Sequence, residues 1–336
     1  MMPGLARVLT VALATLLPFA AAADPVRLKF AFFAPDTELT WVTTIRPFID
    51  AVNAEASGVI RIDGYPNGAL SRNLPQQPQI VLDGVADFAF AIPGITPGRF
   101  ADNGLIELPG IFHNIRDSTI AYTHLARAGR LRGYEQYYVV GAFGAVPASV
   151  HTRPAITDLA SLKGLKIRAT NATEQKVLRA LGAASILLPT SDAAEAIARG
   201  TIDGTAMQPV PLVDFGISRL TNYHYFPTFG VAPLVVLMNR AKFDSLPPAG
   251  QAAIAKYSGD WIARLYYTRI GAESDRIVKA WQADPKQKLI QPTAAERARL
   301  AAVYQKIDDD WAAESPHNAE LLAALKAEMR SIDADP

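Results

Sequence analysis

Five histidines, His113, His124, His151, His224 and His317, are the first side chains to test for chemistry, and none stands at metal-ligand spacing from another. The chain has no cysteine, which removes disulfides, thiolate metal sites, iron–sulfur ligation and a cysteine nucleophile. No GxSxG, HExxH, GxGxxG or phosphate-loop pattern occurs, and Gly141-Ala142-Phe143-Gly144 has glycines without the spacing that cradles phosphate. On a helix, Asp308-Asp309-Asp310 points its carboxylates to different faces and reads as solvated surface. Asp83 and Asp87 flank Gly84 and suit a turn. Arg168 is different, because it ends the run Leu165-Lys166-Ile167-Arg168, and strands of open α/β sheets deliver such residues to a crevice. A guanidinium there offers a planar fork that can hold a carboxylate through two parallel charge-assisted bonds. On residues alone, a surface arginine or salt-bridge partner is the commoner outcome. Nothing in these patterns points to an enzyme, and no cofactor or metal is expected.

The elements that must position Arg168 follow from composition and periodicity. The 336 residues are 50% apolar and 19% charged, with 24 prolines and 22 glycines, enough for a large core with many turns. Thirty-three basic residues balance 32 acidic ones without a basic run, so neither a nucleic-acid groove nor a polybasic membrane patch is expected. Arg7, the apolar stretch Val8–Phe19 and Ala20-Ala21-Ala22-Ala23 read as a secretory signal over residues 1–23, which implies an exported, periplasmic protein beginning at Asp24.

From there strand and helix alternate. Strands are expected at 26–33, 59–65 and 87–92, with helices at 41–55 and 76–83 between them. A second series places strands at 137–143, 148–151, 165–168, 185–188, 202–207 and 231–238, and helices at 173–181 and 191–198. This predicts two α/β lobes of periplasmic-binding-protein type, with crossovers near residues 147 and 234. Ser245-Leu246-Pro247-Pro248 opens a proline-free stretch, Ala249–Ala283, that as one helix would run about 50 Å and must pack on both lobes. Gly259 and Gly271 are places for it to bend, and a last helical region covers 294–332. The expected division is 24–147 with 235–270 as the first lobe, and 148–234 with 271–336 as the second.

Several segments then resemble one family. Leu162-Lys163-Gly164-Leu165-Lys166-Ile167-Arg168-Ala169-Thr170-Asn171 resembles the LKGLKIR-x-x-N signature of the DctP-type solute receptors of TRAP transporters. Tyr65-Pro66-Asn67-Gly68-Ala69-Leu70, Leu82-Asp83-Gly84-Val85-Ala86-Asp87 and Gly200-Thr201-Ile202-Asp203-Gly204 resemble further motifs of these receptors, in the same order. So do Met238-Asn239-Arg240 and Leu246-Pro247-Pro248. The resemblance implies a periplasmic receptor that captures a small organic carboxylate between its lobes and delivers it to the small and large TRAP membrane subunits. It implies that Arg168 clamps the carboxylate and that Asn171 edges the pocket, although Asn171 would also cap a helix starting near Thr173. The expected assembly is a monomer or a weak dimer. Two alternatives share less of this: a ligand-binding subunit of a periplasmic sensor system, and an exported hydrolase or lyase, for which no acid–base pair stands out.

Departures from the family bear on the ligand. Receptors for sialic acid and similar acids carry a second pocket arginine where this chain has Pro147. The polar residue after the third strand is Ile92, beside Ala91, and the often polar end of the first strand is Phe33. The asparagine after the family's DG corresponds to Met207, or to Gln208 with one inserted residue. Each change removes a polar group and adds apolar surface, so the expected ligand is a monocarboxylate with an aromatic or branched aliphatic body. Arg72 and Asn73 are expected to reach a keto or hydroxyl group from the first-lobe loop, and Phe229 to form part of the apolar wall.

Overall fold

The computed structural model describes residues 24–334, so the expected signal over residues 1–23 lies outside the described residues. Eleven strands are described: β1 (Val26–Ala31), β2 (Ile60–Tyr65), β3 (Phe88–Ala91), β4 (Tyr137–Gly144), β5 (Ser149–Thr152), β6 (Lys166–Ala169), β7 (Ala184–Leu187), β8 (Gly204–Met207), β9 (Tyr223–Tyr225), β10 (Pro233–Asn239) and β11 (Lys288–Ile290). The first sheet has the order β2-β1-β3-β10-β4 and the second β11-β9-β5-β8-β6-β7. β1 pairs in parallel with β2 and β3, while β10 returns antiparallel between β3 and β4. In the second sheet β6 is parallel to both β7 and β8.

The chain passes between sheets three times, over 145–148, over 226–232 and, by way of residues 240–287, from β10 to β11; the first two passages are short. The two crossings are bonded to each other: the Ala145 and Ala148 N–H groups donate to Ala232 and Gly230 at 3.0 and 3.3 Å, and the Phe229 N–H to Ala148 at 3.2 Å. They form one paired strap joining two α/β halves.

The helices are α1 (Arg46–Glu55, entered through a wide π turn at Trp41–Ile45), α2 (Gln77–Leu82), α3 (Ile115–Arg127), α4 (Ala172–Ala180), α5 (Thr190–Ala198), α6 (Pro209–Asp214), α7 (Arg240–Asp244), α8 (Pro248–Tyr257), α9 (Asp260–Ala283), α10 (Ala294–Ala313) and α11 (Pro316–Ala334). The expected continuous helix is therefore two. Gly259, at φ +65°, breaks it, with its N–H donating to the Val140 carbonyl at 2.8 Å. Gly271 does not bend α9; a Cβ there would meet the Ile115 side chain at 3.2 Å, so it serves the close packing of α9 on α3. The 24 residues of α9, about 36 Å long, touch α3 and β4 on one side and α6 and β11 on the other.

Alternation along the strands sorts the core. Phe88 and Phe90 of β3 join Phe30 of β1 and Phe32 just beyond it in a cluster that extends to Met207, Val210 and α9, between the two halves. Ala89 and Ala91 face the other way, into a core with Tyr122 of α3. Leu321, Leu325 and Met329 of α11 complete that second core, behind the first sheet. Leu300 and Tyr304 of α10 join the third, behind the second sheet. Residues 271–336 thus do not all pack with the second half as expected; the chain returns to the first sheet with α11.

Candidate functional site

Arg168 has its place by the two-residue period of β6. Ile167 and Ala169 pack into the core behind the second sheet, which turns Arg168 to the opposite face, where it lines a cleft of about 420 Å³ between the halves. Only 1% of Arg168 is exposed, and no carboxylate forms an ion pair with it among the described residues. Its partners are neutral: Nε donates to the Leu188 carbonyl at 2.8 Å, Nη2 to the Thr190 hydroxyl at 2.7 Å and Nη1, at 3.4 Å, to the Ala206 carbonyl. A guanidinium has five N–H donors, so these bonds fix the fork and leave donors unspent. Burial pulls the Arg168 guanidinium below its ordinary pKa, and the charge of Glu174 acts the other way. The result is a positioned cation at a cleft wall, under the influence of Glu174 but in no direct ion pair with it.

The rest of the wall is largely apolar. Phe33, stacked on Phe32 and Phe90 with centroids 5.8 Å from each, stands with Ile92 and Leu234 on the first-half side. Met207, Val210 and Phe215 come from the second half. Tyr266, Ile270 and Ser274 recur every fourth residue on α9 and present one helix face to the same space. Besides Arg168, the charged residues lining the cleft are Glu38 and Asp214.

Beside Arg168 a second, water-sized hollow of about 10 Å³ lies between the strap and α4, walled by Glu107, Asn171, Glu174 and Gln208. Glu107 is 7% exposed and its Oε1 has no hydrogen-bond partner. Burial and then the Glu174 charge push its carboxyl up to about 8, against a hydrogen bond from the Thr173 hydroxyl. Glu174 is likewise raised by burial, while Arg168 and the Thr170 N–H, which donates to it at 2.5 Å, pull it down. Glu107 and Glu174 thus bear on each other, and Glu174 bears in turn on the Arg168 guanidinium.

Of the residues expected at the site, Arg168, Phe33, Ile92, Met207 and Gln208 line the cleft together; the Met207 and Gln208 alternatives both face it. The others do not. Ala91 faces the core behind β3, because Phe90 and Ile92 take the cleft side. Pro147, on the strap, faces a separate hollow with His113, and its neighbours Ala145 and Val146 take the cleft position. Phe229, 1% exposed, packs into the core behind the second sheet. Arg72 and Asn73 are exposed; Asn73 opens the 3₁₀ turn Leu74–Gln76, and Leu74, one residue on, lines the cleft. Asn171 caps α4, its Oδ1 accepting the Glu174 N–H at 2.8 Å, and borders the small hollow beside Arg168.

Sequence reasoning missed Glu38, Thr190, Asp214, Tyr266 and Ser274. The fourfold spacing of the last pair with Ile270 was a readable signal; for Glu38 and Asp214 there was none. It also missed that His151 and His224, 73 residues apart, pair across β5 and β9. Their Nδ1 atoms lie 2.7 Å apart, His151 Nε2 is 3.2 Å from the Met207 carbonyl and His224 Nε2 is 2.8 Å from the Gln287 side chain. His224 also stacks on Trp281, with centroids 4.2 Å apart. A carbonyl can only accept, so neutral His151 donates from Nε2 and accepts from His224 at Nδ1, and neutral His224 then accepts at Nε2, which requires the Gln287 amide to turn its NH2 toward it. Burial lowers the pKa of both rings, and no third ligating side chain joins them among the described residues.

Comparison with known proteins agrees with this fold. A marine-metagenome TRAP solute-binding protein specific for aromatic acids, solved with 3-hydroxybenzoate, is 25% identical with a TM-score of 0.84, covering 92% of this chain and 99% of its own. A TRAP solute-binding protein from Rhodoferax ferrireducens, solved with copurified benzoate, is 25% identical with a TM-score of 0.80, covering 91% and 98%. The C4-dicarboxylate-binding periplasmic protein DctP of Rhodobacter capsulatus is 24% identical over 94% of this chain and 95% of its own. No helix among the described residues is long and apolar enough to cross a membrane. The model of the DctP family, bacterial extracellular solute-binding protein family 7, matches residues 30–315, and this chain therefore belongs to that family.

Proposed function

We propose that this receptor captures a small monocarboxylate with an aromatic or branched aliphatic body and passes it, from the periplasm, to the small and large membrane subunits of a TRAP transporter. The observation that carries the reading is Arg168, a buried cation held by three neutral acceptors at the wall of an apolar cleft. Glu174 bears on this charge without forming an ion pair with it, so burial remains costly, and a carboxylate of matching geometry relieves that cost on entering. The bonds to Leu188, Thr190 and Ala206 hold the fork before the ligand arrives, so little side-chain freedom is lost on binding. Capture needs no covalent step; closing the halves around the strap shifts a population toward the liganded form.

The charge inventory argues against a dicarboxylate. With Arg168 as the cation of the lining and Glu38 and Asp214 as its other charges, a second carboxylate would meet repulsion and find no base. Sugar acids are disfavoured by the wall of Phe33, Phe90 and Ile92, which would strip water from hydroxyls without replacing it. The aromatic acids bound by the two solved relatives support the same reading.

The test is calorimetric titration of the purified protein with benzoate, a branched oxo acid, succinate and glucuronate. Binding of one or both of the first pair, at least about a hundredfold tighter than the other two, is expected. Preference for succinate or glucuronate would overturn the ligand class and leave the family assignment standing.

A further inference from the structure

The strap joining the two halves is also a wall between two hollows. On one side lies the ligand cleft of about 420 Å³, and on the other an outer hollow of about 490 Å³ that His113, Lys279 and Gln291 help to line. Three segments form the partition, and each changes face within a few residues. On the strap, Ala145 and Val146 line the cleft and Pro147 the outer hollow. Where β8 runs into α6, Gln208 and Val210 line the cleft while Pro209, between them, lines the hollow. On α9 the change comes between Ile270 and Asp275. Val146 and Ser274 line both, so there the partition is a single residue thick. Ser274 is 4% exposed and held on a helix, whereas Val146 is half-buried. The backbone on either side of Val146 is pinned by the Ala145 and Ala148 N–H bonds to Ala232 and Gly230, so its side chain can change while the strap stays. Elsewhere the cleft wall is backed by packed core: Phe32 and Phe90 belong to the cluster between the halves, and Tyr266 stacks on Phe143 with centroids 4.5 Å apart.

We propose that Val146 sets the length of acid that the cleft accepts. With its carboxylate at Arg168, the ligand's apolar body ends against the Val146 side chain, and a longer body is turned away there. This rests on the monocarboxylate reading above and adds a size limit to it. Against the core-backed aromatics a longer body meets overpacking that no single truncation relieves. At Val146 truncation opens onto space that already exists, so a longer body gains burial without a cavity having to form.

The experiment is calorimetric titration of the native protein and its Val146→Ala, Val146→Ile and Pro147→Ala variants with benzoate, phenylacetate, 3-phenylpropanoate and 4-phenylbutanoate. In the native protein affinity should fall below that for benzoate at or before the longest acid. In Val146→Ala the affinity ratio of at least one longer acid to benzoate should rise roughly fourfold or more, which is what one newly buried methylene is worth. Val146→Ile should lower the same ratio. Pro147 lines the outer hollow and not the cleft, so Pro147→Ala should leave the ratio within about twofold of native. A change in how readily the halves close scales the affinity for every acid alike and cancels in the ratio, and thermal unfolding of each variant controls for folding. Native affinity that does not fall along the series, a ratio that Val146→Ala leaves unchanged, or one that Pro147→Ala raises as much, would overturn this inference alone. Binding of none of these acids by the native protein would overturn the aromatic-acid reading as well.

Discussion

Arg168 and the pair His151–His224 lie in the same sheet, on β6, β5 and β9, and all three side chains are buried to within 1%. They differ in what is left over. The histidine pair uses its nitrogens on each other, on the Met207 carbonyl and on Gln287, and it is capped by Trp281. Arg168 uses three bonds to lock its orientation and retains a positive charge and further donors at a cavity wall. Burial alone therefore does not mark function. We read function instead from donors left over at a cavity wall, and the histidines, which carry more suggestive chemistry as residue types, have none.

Replacing residues on either side of that contrast should separate binding from stability. The largest effect is expected from Arg168→Ala, which should weaken carboxylate binding by roughly a hundredfold or more while unfolding remains cooperative; retained affinity would break the contrast. Next is Glu107→Gln. The folded state holds the Glu107 proton up to about pH 8, whereas the unfolded chain releases it near 4.5. Its contribution is thus full below 4.5 and is lost as pH rises through 8. Relative to native protein, Glu107→Gln should gain stability steadily in denaturant titrations from pH 5 to pH 8; a difference that does not change with pH would refute a proton held on buried Glu107.

A smaller loss, on the order of 2 kcal/mol, is expected for His224→Leu, which strands His151 and Gln287, with ligand affinity within about twofold of native. The pair also has the opposite pH sign. Both rings have lowered pKa values when folded, so the unfolded chain binds protons that the folded one refuses, and stability falls as pH drops below 6.5. His224→Leu should flatten that acid limb. The smallest effect is expected for Asn171→Ala, about 1 kcal/mol from the lost cap of α4. A loss of affinity larger than the loss of stability would return Asn171 to the ligand.

The alternation of strand and helix made most of this architecture readable. Period-two patterns located β1, β3 and β6, and the same pattern told which face Arg168 must occupy, since Ile167 and Ala169 needed a core. α3 escaped because its buried face mixes Ile115, Tyr122 and Leu125 with Ser118, Thr119 and Thr123, which donate hydroxyls to the Gly144 and Ala142 carbonyls of β4 and interrupt the apolar stripe. The break at Gly259 was readable as a glycine but not as a stop, because the positive φ comes from docking on Val140. At the site, one-residue errors decided the outcome. Leu74 and not Arg72 or Asn73 reaches the cleft, and Val146 does where Pro147 does not, because turn and crossover geometry sets which residue faces inward. Glu38 and Asp214 line one cleft from positions 176 apart in the chain, a distance no local pattern spans.

The most direct test of the central claim is thermal unfolding of the native protein with benzoate and with benzamide, which share shape and differ in charge. At a hundred times its dissociation constant, benzoate should add about 2.7 kcal/mol of stability, and benzamide at the same concentration should add almost none. Equal stabilisation by the two would contradict a carboxylate held by the unspent donors of Arg168.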